Sequence, residues 1–404
     1  MSNAYAQVFH NRAFRAFWLS FTASALGDAL TRTALTWFVY DRTHSPEALG
    51  LLALTYTGPV ILGGLLAGPL LDRFDRRTVM IVDNLIRGFA VLLIPILNAF
   101  GQLALWHVYL ISAVYGSLMM LSLAGNPALI PELVEERHLD TANALETLSY
   151  TLSGVIGPPL AGFLIPLIGA PNVVVIDAFS YFLLALTLFG IHRSLKAEPV
   201  SPAEAPNRYR LGDAVRLLLR NKILLSTTIM FMLANLGLGV FQVWLPILSD
   251  QVLGGGAELY GLLLGAMALG EVASSVLVGA YKSPLGLGKS ICVGQVLSGM
   301  ALGLLIAGIS IPGALVSLSA LGFFSAPLTI WAQTLRMKII PNELRGRAFA
   351  LLRTLMQSAY PLGGAAAGWL LASLPLTLIV LLSGLLVGVP GALGLGVREL
   401  REAN

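Results

Sequence analysis

Leu374-Pro-Leu-Thr-Leu-Ile-Val-Leu-Leu-Ser-Gly-Leu-Leu-Val-Gly-Val389 is apolar almost throughout and does not alternate, and the same holds from Ile61 to Leu71 and from Val293 to Leu305. In hydrocarbon every backbone N–H and C=O must be paired within a helix or a closed barrel, and a barrel strand would show about ten residues of alternating polarity. These stretches therefore read as helices in lipid. Of 404 residues, 56% are hydrophobic and 11% charged, against roughly 45–50% and about 25% in soluble domains. Mean hydropathy is +0.80, and apolar stretches recur from Phe14 to Val397 rather than in one anchor. Nearly the whole chain is expected in the bilayer.

Helices are expected over about 14–40, 46–71, 78–99, 104–127, 141–168, 171–193, 222–252, 257–281, 289–310, 312–337, 343–372 and 374–397. This placement sorts the loops by charge. One set holds Arg12, Arg15, Arg73, Arg76, Arg77, Arg137, the segment Arg193 to Lys222, Lys282, Lys289, Arg336, Lys338, Arg345, Arg347, Arg398 and Arg401, while the other holds Arg42. Basic loops stay on the cytoplasmic side, so both termini are expected there. The formal charge of +4 is thus a matter of topology, and nucleic acid is not an expected partner. His10, Arg12 and Arg15 precede an apolar run in the manner of a signal peptide, but that run continues to about Val39, too long for a cleaved segment. The single cysteine, Cys292, excludes a disulfide framework and a Cys-rich metal site.

Ser194 to Asn221, with Pro199, Pro202 and Pro206, is the longest polar interruption. It divides the chain into a six-helix bundle over 1–193, a cytoplasmic linker over 194–221 and a second bundle over 222–404. Leu211, Val215, Leu218 and Leu219 against Arg216 and Arg220 predict a short amphipathic surface helix at the end of the linker. Pro158 to Leu164 and Gly364 to Leu370 form a weak repeat, each following a segment with a Pro-Glu-Leu or Pro-Asn-Glu-Leu element, at Pro131 and Pro341. Such repeats place a substrate near the membrane midplane and alternate access by rocking. The fold class is an all-α membrane protein of twelve transmembrane helices in two pseudo-symmetric six-helix bundles.

Between helices two and three stands Gly68-Pro-Leu-Leu-Asp72-Arg73-Phe-Asp75-Arg76-Arg77. It resembles the G-x-x-x-D-R-x-G-R-R signature of the major facilitator superfamily, with Asp75 where the commonest form has glycine. The resemblance implies a conformational switch: Asp72 latches the cytoplasmic side against the start of helix eleven, where Arg345, Arg347 and Arg353 lie, with Glu146 near the matching end of helix five. Ser153-Gly154-Val-Ile-Gly157-Pro158-Pro159-Leu-Ala161-Gly162 resembles the superfamily's antiporter motif, with Ala161 in place of one glycine, and implies export. Asn11-Arg12-Ala-Phe14-Arg15, Ala25-Leu-Gly27-Asp28, Pro131-Glu132-Leu-Val and Ala142-Asn143-Ala-Leu narrow the resemblance to the drug:proton antiporter branch with macrolide, tetracycline and enterobactin exporters.

Ionisable groups inside spans are functional hypotheses by default. Asp28 lies fourteen residues into helix one, roughly 21 Å from its start and inside the hydrocarbon. It is a candidate for binding a proton or a cationic substrate, while Arg32 one turn on offers instead a plain ion pair. Glu271 has no basic neighbour in its helix and is a second proton candidate. Asp83 and Arg87, also four apart, read as a structural pair near the cytoplasmic end of helix three. Asp177, about 9 Å from the external end of helix six, is a gate or a hydrated group. Asn126, Asn235, Gln242, Gln333 and Gln357 are cavity candidates. Trp18, Trp37, Tyr40 and Trp106, near span ends, read as interfacial anchors.

Gly286-Leu-Gly288-Lys289-Ser290 imitates the tail of a phosphate loop, but Ser283 stands where its first glycine is needed. The chain is therefore expected not to be an enzyme, to need no cofactor or metal, and to draw on the proton gradient. Its expected partners are a small amphipathic substrate, protons and membrane lipids, its working unit a monomer, and its place the bacterial cytoplasmic (inner) membrane. A lysophospholipid flippase of the same fold and a receptor that kept the fold are the competing readings.

Overall fold

A computed structural model of the chain describes residues 2–191, 211–280, 285–307, 309–341 and 344–403. Among them there are helices and no strands: α1 Ser2–His10, α2 Arg12–Thr43, α3 Pro46–Arg73, α4 Arg76–Ala99, α5 Leu105–Leu133, α6 Leu139–Ile168, α7 Ala170–Gly190, α8 Leu211–Arg220, α9 Lys222–Ile247, α10 Gly256–Ala280, α11 Leu287–Ala307, α12 Ile311–Ile339, α13 Arg345–Leu371, α14 Leu376–Leu395 and α15 Arg398–Arg401. Twelve of these, α2 to α7 and α9 to α14, are long enough to cross a bilayer, and nine also pass on apolarity over the described residues. The proline-bearing part of the linker, up to residue 210, lies outside the described residues.

Helix starts follow from side chains that accept the first free N–H groups. Asn11 caps α2 through Ala13 N at 3.0 Å, Asn221 caps α9 through Leu224 N at 3.0 Å, and Ser310 caps α12 through Gly313 N at 3.2 Å. Asn11 also donates to Leu133 O at 2.6 Å and so ties the start of α2 to the end of α5. That end is later than expected: α5 runs through Pro127 and Pro131 to Leu133, so Pro131 and Glu132 belong to its last turn rather than to a loop. The π-turn Leu248–Val252 extends α9 to the expected residue 252.

By contacts the chain forms two compact units, Met1–Arg42 with Thr55–Ala203, and Thr43–Leu54 with Glu204–Asn404. In the first, α4 packs on α7 and α5; in the second, α11 packs on α14 and α12, α9 on α13 and α10 on α12. Each unit contains a reciprocal glycine clamp at the same pair of helices in its order. A methyl on Gly63 would come within 2.0 Å of Ser117 O, and one on Gly116 within 2.0 Å of Tyr56 O, locking α3 to α5. In the second unit a methyl on Gly270 would come within 2.0 Å of Ser319 O and one on Gly322 within 1.9 Å of Met267 O, locking α10 to α12 in the same way.

The side chains of α7 are distributed as a membrane solvent requires. Phe179, Leu183 and Leu186 are exposed, whereas Asp177, Ser180 and Tyr181 are buried. Helix α8 is amphipathic as expected, but its buried face differs. Ala214 and Leu218 pack on Leu224, Ile340, Leu344, Ala348 and Leu352, while Val215 and Leu219 are exposed. The small alanine lets α8 lie close to the α13 end, which turns the larger residues outward. Trp37 and Tyr40, expected as anchors, are buried against each other at 5.2 Å between ring centroids. Trp106 is exposed, and Trp18 donates to Leu145 O at 2.9 Å as a tie between α2 and α6.

Candidate functional site

Five helices of the first unit bring their polar residues to one place. Helical spacing puts Gly27, Asp28 and Thr31 on one face of α2, Asp83 and Arg87 on one face of α4, Tyr115 and Ser122 on α5, and Asp177, Ser180 and Tyr181 on α7, with Tyr56 arriving from α3. At the centre is Arg87, 2% exposed. Its Nη2 donates to Asp83 Oδ2 at 2.5 Å and to Ser122 Oγ, and Ser122 donates to the same Asp83 oxygen at 2.9 Å. Its Nη1 donates to the Tyr181 hydroxyl at 3.0 Å and lies 3.9 Å from Asp28 Oδ1. The guanidinium carbon sits 4.4 Å from the Tyr181 ring centroid and 5.9 Å from that of Tyr115.

Asp28 is the carboxylate with access, 36% exposed at its side chain. Its Oδ1 accepts from Tyr115 at 2.5 Å and from Tyr181, and Tyr115 in turn lies 5.2 Å from Tyr56, centroid to centroid. Arg87 from α4 is thus set against Asp28 in this network, and Arg32 stands one turn along α2 with its side chain exposed. Asp83 and Arg87 do form the expected pair, but Arg87 also reaches Asp28, which makes it a bridge between two acids. A buried ion pair offsets its desolvation better when further hydrogen bonds reach it, and Ser122 and Tyr181 supply such bonds here, while Asp83 Oδ1 and Arg87 Nε have none.

Asp177 is 0% exposed, so the hydrated position expected for it is replaced by full burial. Its Oδ1 accepts from Ser180 Oγ at 3.2 Å, and the Thr31 hydroxyl of α2 also faces the carboxyl. The carboxyl fits because its neighbour on α2 is a glycine: a methyl on Gly27 would sit 2.4 Å from Asp177 Oδ1 and 2.8 Å from Ser180 Oγ. Gly27-Asp28 thus acquires a physical reading, with one residue making room for the buried acid and the next presenting the accessible one.

The other candidates do different things. Gly68 and Asp72 fall in the last turns of α3, and the side chain of Asp72 lies outside the described residues. Arg73 lies over Phe74 at 5.9 Å. Asp75 is the N-cap of α4 at φ −57°, accepting from Thr78 N at 2.8 Å and Thr78 Oγ1 at 2.6 Å, so no glycine is needed there. Arg76 lies 3.6 Å from Glu132, and Arg77 donates to Leu188 O at 2.6 Å and to Phe189 O, closing the carbonyl end of α7. Arg345 does the same for α12 through Met337 O at 2.9 Å. Arg347 and Arg353 are exposed, Glu146 is nearly buried on α6, and Glu271 is half-buried on α10.

In the antiporter motif Gly157 meets the Ala29 methyl of α2, Pro158 and Gly162 are buried in α6, and Gly154 faces open space. Asn235 donates to Met356 O at 2.9 Å and Gln242 accepts from Tyr360 at 2.5 Å, so both tie α9 to α13. Asn126 is buried, whereas Gln333 and Gln357 are exposed. Among the described residues no group of three or more His, Cys, Asp or Glu side chains is placed to hold a metal.

Sequence reasoning missed Tyr181 and Ser122; the signal for the first was its position one turn after Asp177. It also read Arg336 as a loop cation, whereas this arginine is buried, 4.9 Å from the Phe231 ring and 3.2 Å from Met356 Sδ.

A family model described as transmembrane secretion effector matches residues 3–404. The multidrug efflux pump Tap of Mycolicibacterium fortuitum is 25% identical over 403 residues, with 95% of each chain covered. The enterobactin exporter EntS of Salmonella choleraesuis (strain SC-B67) is 26% identical over 336 residues, 83% of this chain and 80% of that one. A crystal structure of a bacterial homologue of the iron transporter ferroportin, in its inward-facing state, superposes at a TM-score of 0.71 over 97% of this chain and 99% of that chain, with 17% identity.

Proposed function

Because the chain belongs to the major facilitator superfamily, as a transporter of the transmembrane secretion effector family, we propose that it is a proton-coupled secondary active exporter of small amphipathic molecules, drug-like compounds or siderophore-like metabolites. The observation that carries this reading is the cluster of Asp28, Asp83, Asp177 and Arg87 inside the apolar first unit, with Asp28 half-exposed. Ionisable groups in such a place are costly and are kept for ion or substrate traffic.

The physical sequence runs through Asp28. As a carboxylate it is held by Arg87, Tyr115 and Tyr181. Protonation removes its charge, so the attraction to Arg87 falls and the two phenols lose a strong acceptor. The α2–α4–α7 contact then has two energetically distinct arrangements, which a proton gradient biases in opposite senses on the two sides of the membrane. The similarity to chains named as an efflux pump and as a siderophore exporter supports the outward direction. The bias of Lys and Arg to one set of loops supports an inner-membrane protein with both termini cytoplasmic. It works as a monomer among lipids and without a cofactor.

The test is accumulation of a fluorescent lipophilic cation in energised cells, comparing wild type, Asp28→Asn and Glu271→Gln with and without protonophore. Coupled export predicts low accumulation in wild type that rises at least several-fold with protonophore or with Asp28→Asn. Equal accumulation in all cells would remove export of cationic drugs and direct the assay to anionic metabolites and lysophospholipids.

A further inference from the structure

Asp28, Asp83 and Asp177 crowd three carboxyl groups into the interior of the first unit, where the Arg87 guanidinium is shared by the first two. Two of the acids have compensation. Asp83 shares a 2.5 Å bond with Arg87 and one with Ser122, and Asp28 has two phenol donors, Arg87 at 3.9 Å and partial access to solvent. Asp177 has no such partner: it forms no ion pair among the described residues, it is 0% exposed, and the donors set against it are the neutral hydroxyls of Ser180, at 3.2 Å, and Thr31. The groups that face it are Asp28 and Thr31 from α2, Tyr56 from α3, Arg87 from α4, Tyr115 from α5, and Ser180 and Tyr181 from its own helix. Of these, Asp28 repels a negative charge at Asp177, and Arg87 is already engaged by Asp83.

Packing does not explain why an acid stands here. The equivalent place in the second unit is between its first and last long helices, α9 and α14. There Gly237 lies against Ser383, a methyl on it coming within 2.8 Å of Ser383 O, and Trp244 Nε1 donates to Ser383 Oγ at 3.2 Å. Glycine against a small neutral hydroxyl residue therefore closes this helix contact. In the first unit the same contact is made by Gly27 and Asp177, and the carboxyl is the addition.

We propose that Asp177 is the proton-holding residue of this chain: it stands as the neutral acid in the conformation described, and exchanges that proton with Asp28 beside it. In the exchange the O–H bond on Asp177 breaks, one forms on the Asp28 carboxylate, and the negative charge moves to Asp177 with no change in total. Arg87 and Asp83 remain the fixed ion pair. Gly27 is a positioning residue, since its missing side chain lets the Asp177 carboxyl reach the α2 backbone next to Asp28. The use of this proton in transport rests on the exporter reading; its location on Asp177 does not.

Infrared difference spectroscopy of the purified full chain in phosphatidylethanolamine–phosphatidylglycerol vesicles at neutral pH tests the location. The expected wild-type spectrum contains the carbonyl stretch of a protonated carboxylic acid that shifts in heavy water. Asp177→Asn, which has the shape of the neutral acid, loses that component, while Asp28→Asn and Asp83→Asn keep it. Asp177→Glu serves where the amide variant does not fold, and is expected to move the band rather than abolish it. A band unchanged by both substitutions at 177, or one lost with Asp28→Asn or Asp83→Asn instead, overturns the proposal. Export that ignores protonophore in cells would remove proton coupling and leave the spectroscopic assignment standing.

Discussion

Arg87 holds two acids and two hydroxyls at once, so its removal leaves Asp83 buried and uncompensated. Breaking a buried pair on one side costs about 3–5 kcal/mol, whereas replacing both partners by apolar residues of similar volume is often neutral. Arg87→Met is therefore expected to lower stability by about that amount in thermal unfolding of the detergent-solubilised protein, and the double variant Asp83→Leu/Arg87→Met to recover most of it without recovering transport. Losses that simply add in the double variant would mean that the two residues do not act as a pair. The charges themselves were legible in the sequence, since Asp28, Asp83, Arg87 and Asp177 stand out in apolar spans. Their partners were not. Spacing of four residues suggests neighbours on the same helix, and for Asp83 it suggested the right one; the reach of Arg87 to Asp28 depends on how α2 and α4 pack, which a single sequence does not encode locally.

Helix ends show where local chemistry is sufficient. Asp75 departs from the commonest residue of the family signature, yet as the cap of α4 it accepts two hydrogen bonds from Thr78. Asp75→Ala is expected to cost about 1 kcal/mol, and Asp75→Gly only a few tenths, read as shifts of the unfolding transition. A larger loss with glycine than with alanine would show that the carboxylate is needed for something besides the cap. The long helices were readable from their apolar runs to within a few residues. Helix α5 was the exception, because its prolines at 127 and 131 signal a stop that the surrounding packing overrides. The face of α8 was misread for a related reason. Ala214 is buried and Leu219 exposed because the close approach to α13 selects the small residue, and hydrophobicity alone ranks them the other way.

At the scale of the chain, the second unit is closed at one end by its last turns. Leu400 is buried with Met230, Ile291, Cys292, Leu328, Ala332 and Leu335, and Lys222 lies 2.5 Å from Glu399 beside it. Leu400→Asp is expected to open this cluster and make Cys292, the single cysteine, react with maleimide at neutral pH many times faster than in wild type; unchanged labelling would show that α15 is not what shields it. The Lys222 ammonium holds the Glu399 carboxyl below its usual range. The stability this gives is present above the ordinary glutamate value, about 4.3, and is lost as pH falls through the lowered one. Amide exchange at 398–403, corrected for intrinsic rates, should therefore rise only in acid, and loosening near neutrality would rule the pair out as the fastener. The repeated glycine clamps, α3 with α5 and α10 with α12, speak to descent. A single six-helix gene, doubled in tandem, would give both halves the same backbone crossings at the same places, and later divergence would be confined to what fits between them. On that lineage the copy that kept or gained a carboxyl at 177 became the half that handles charge, and the copy with Ser383 was left free to specialise in something else.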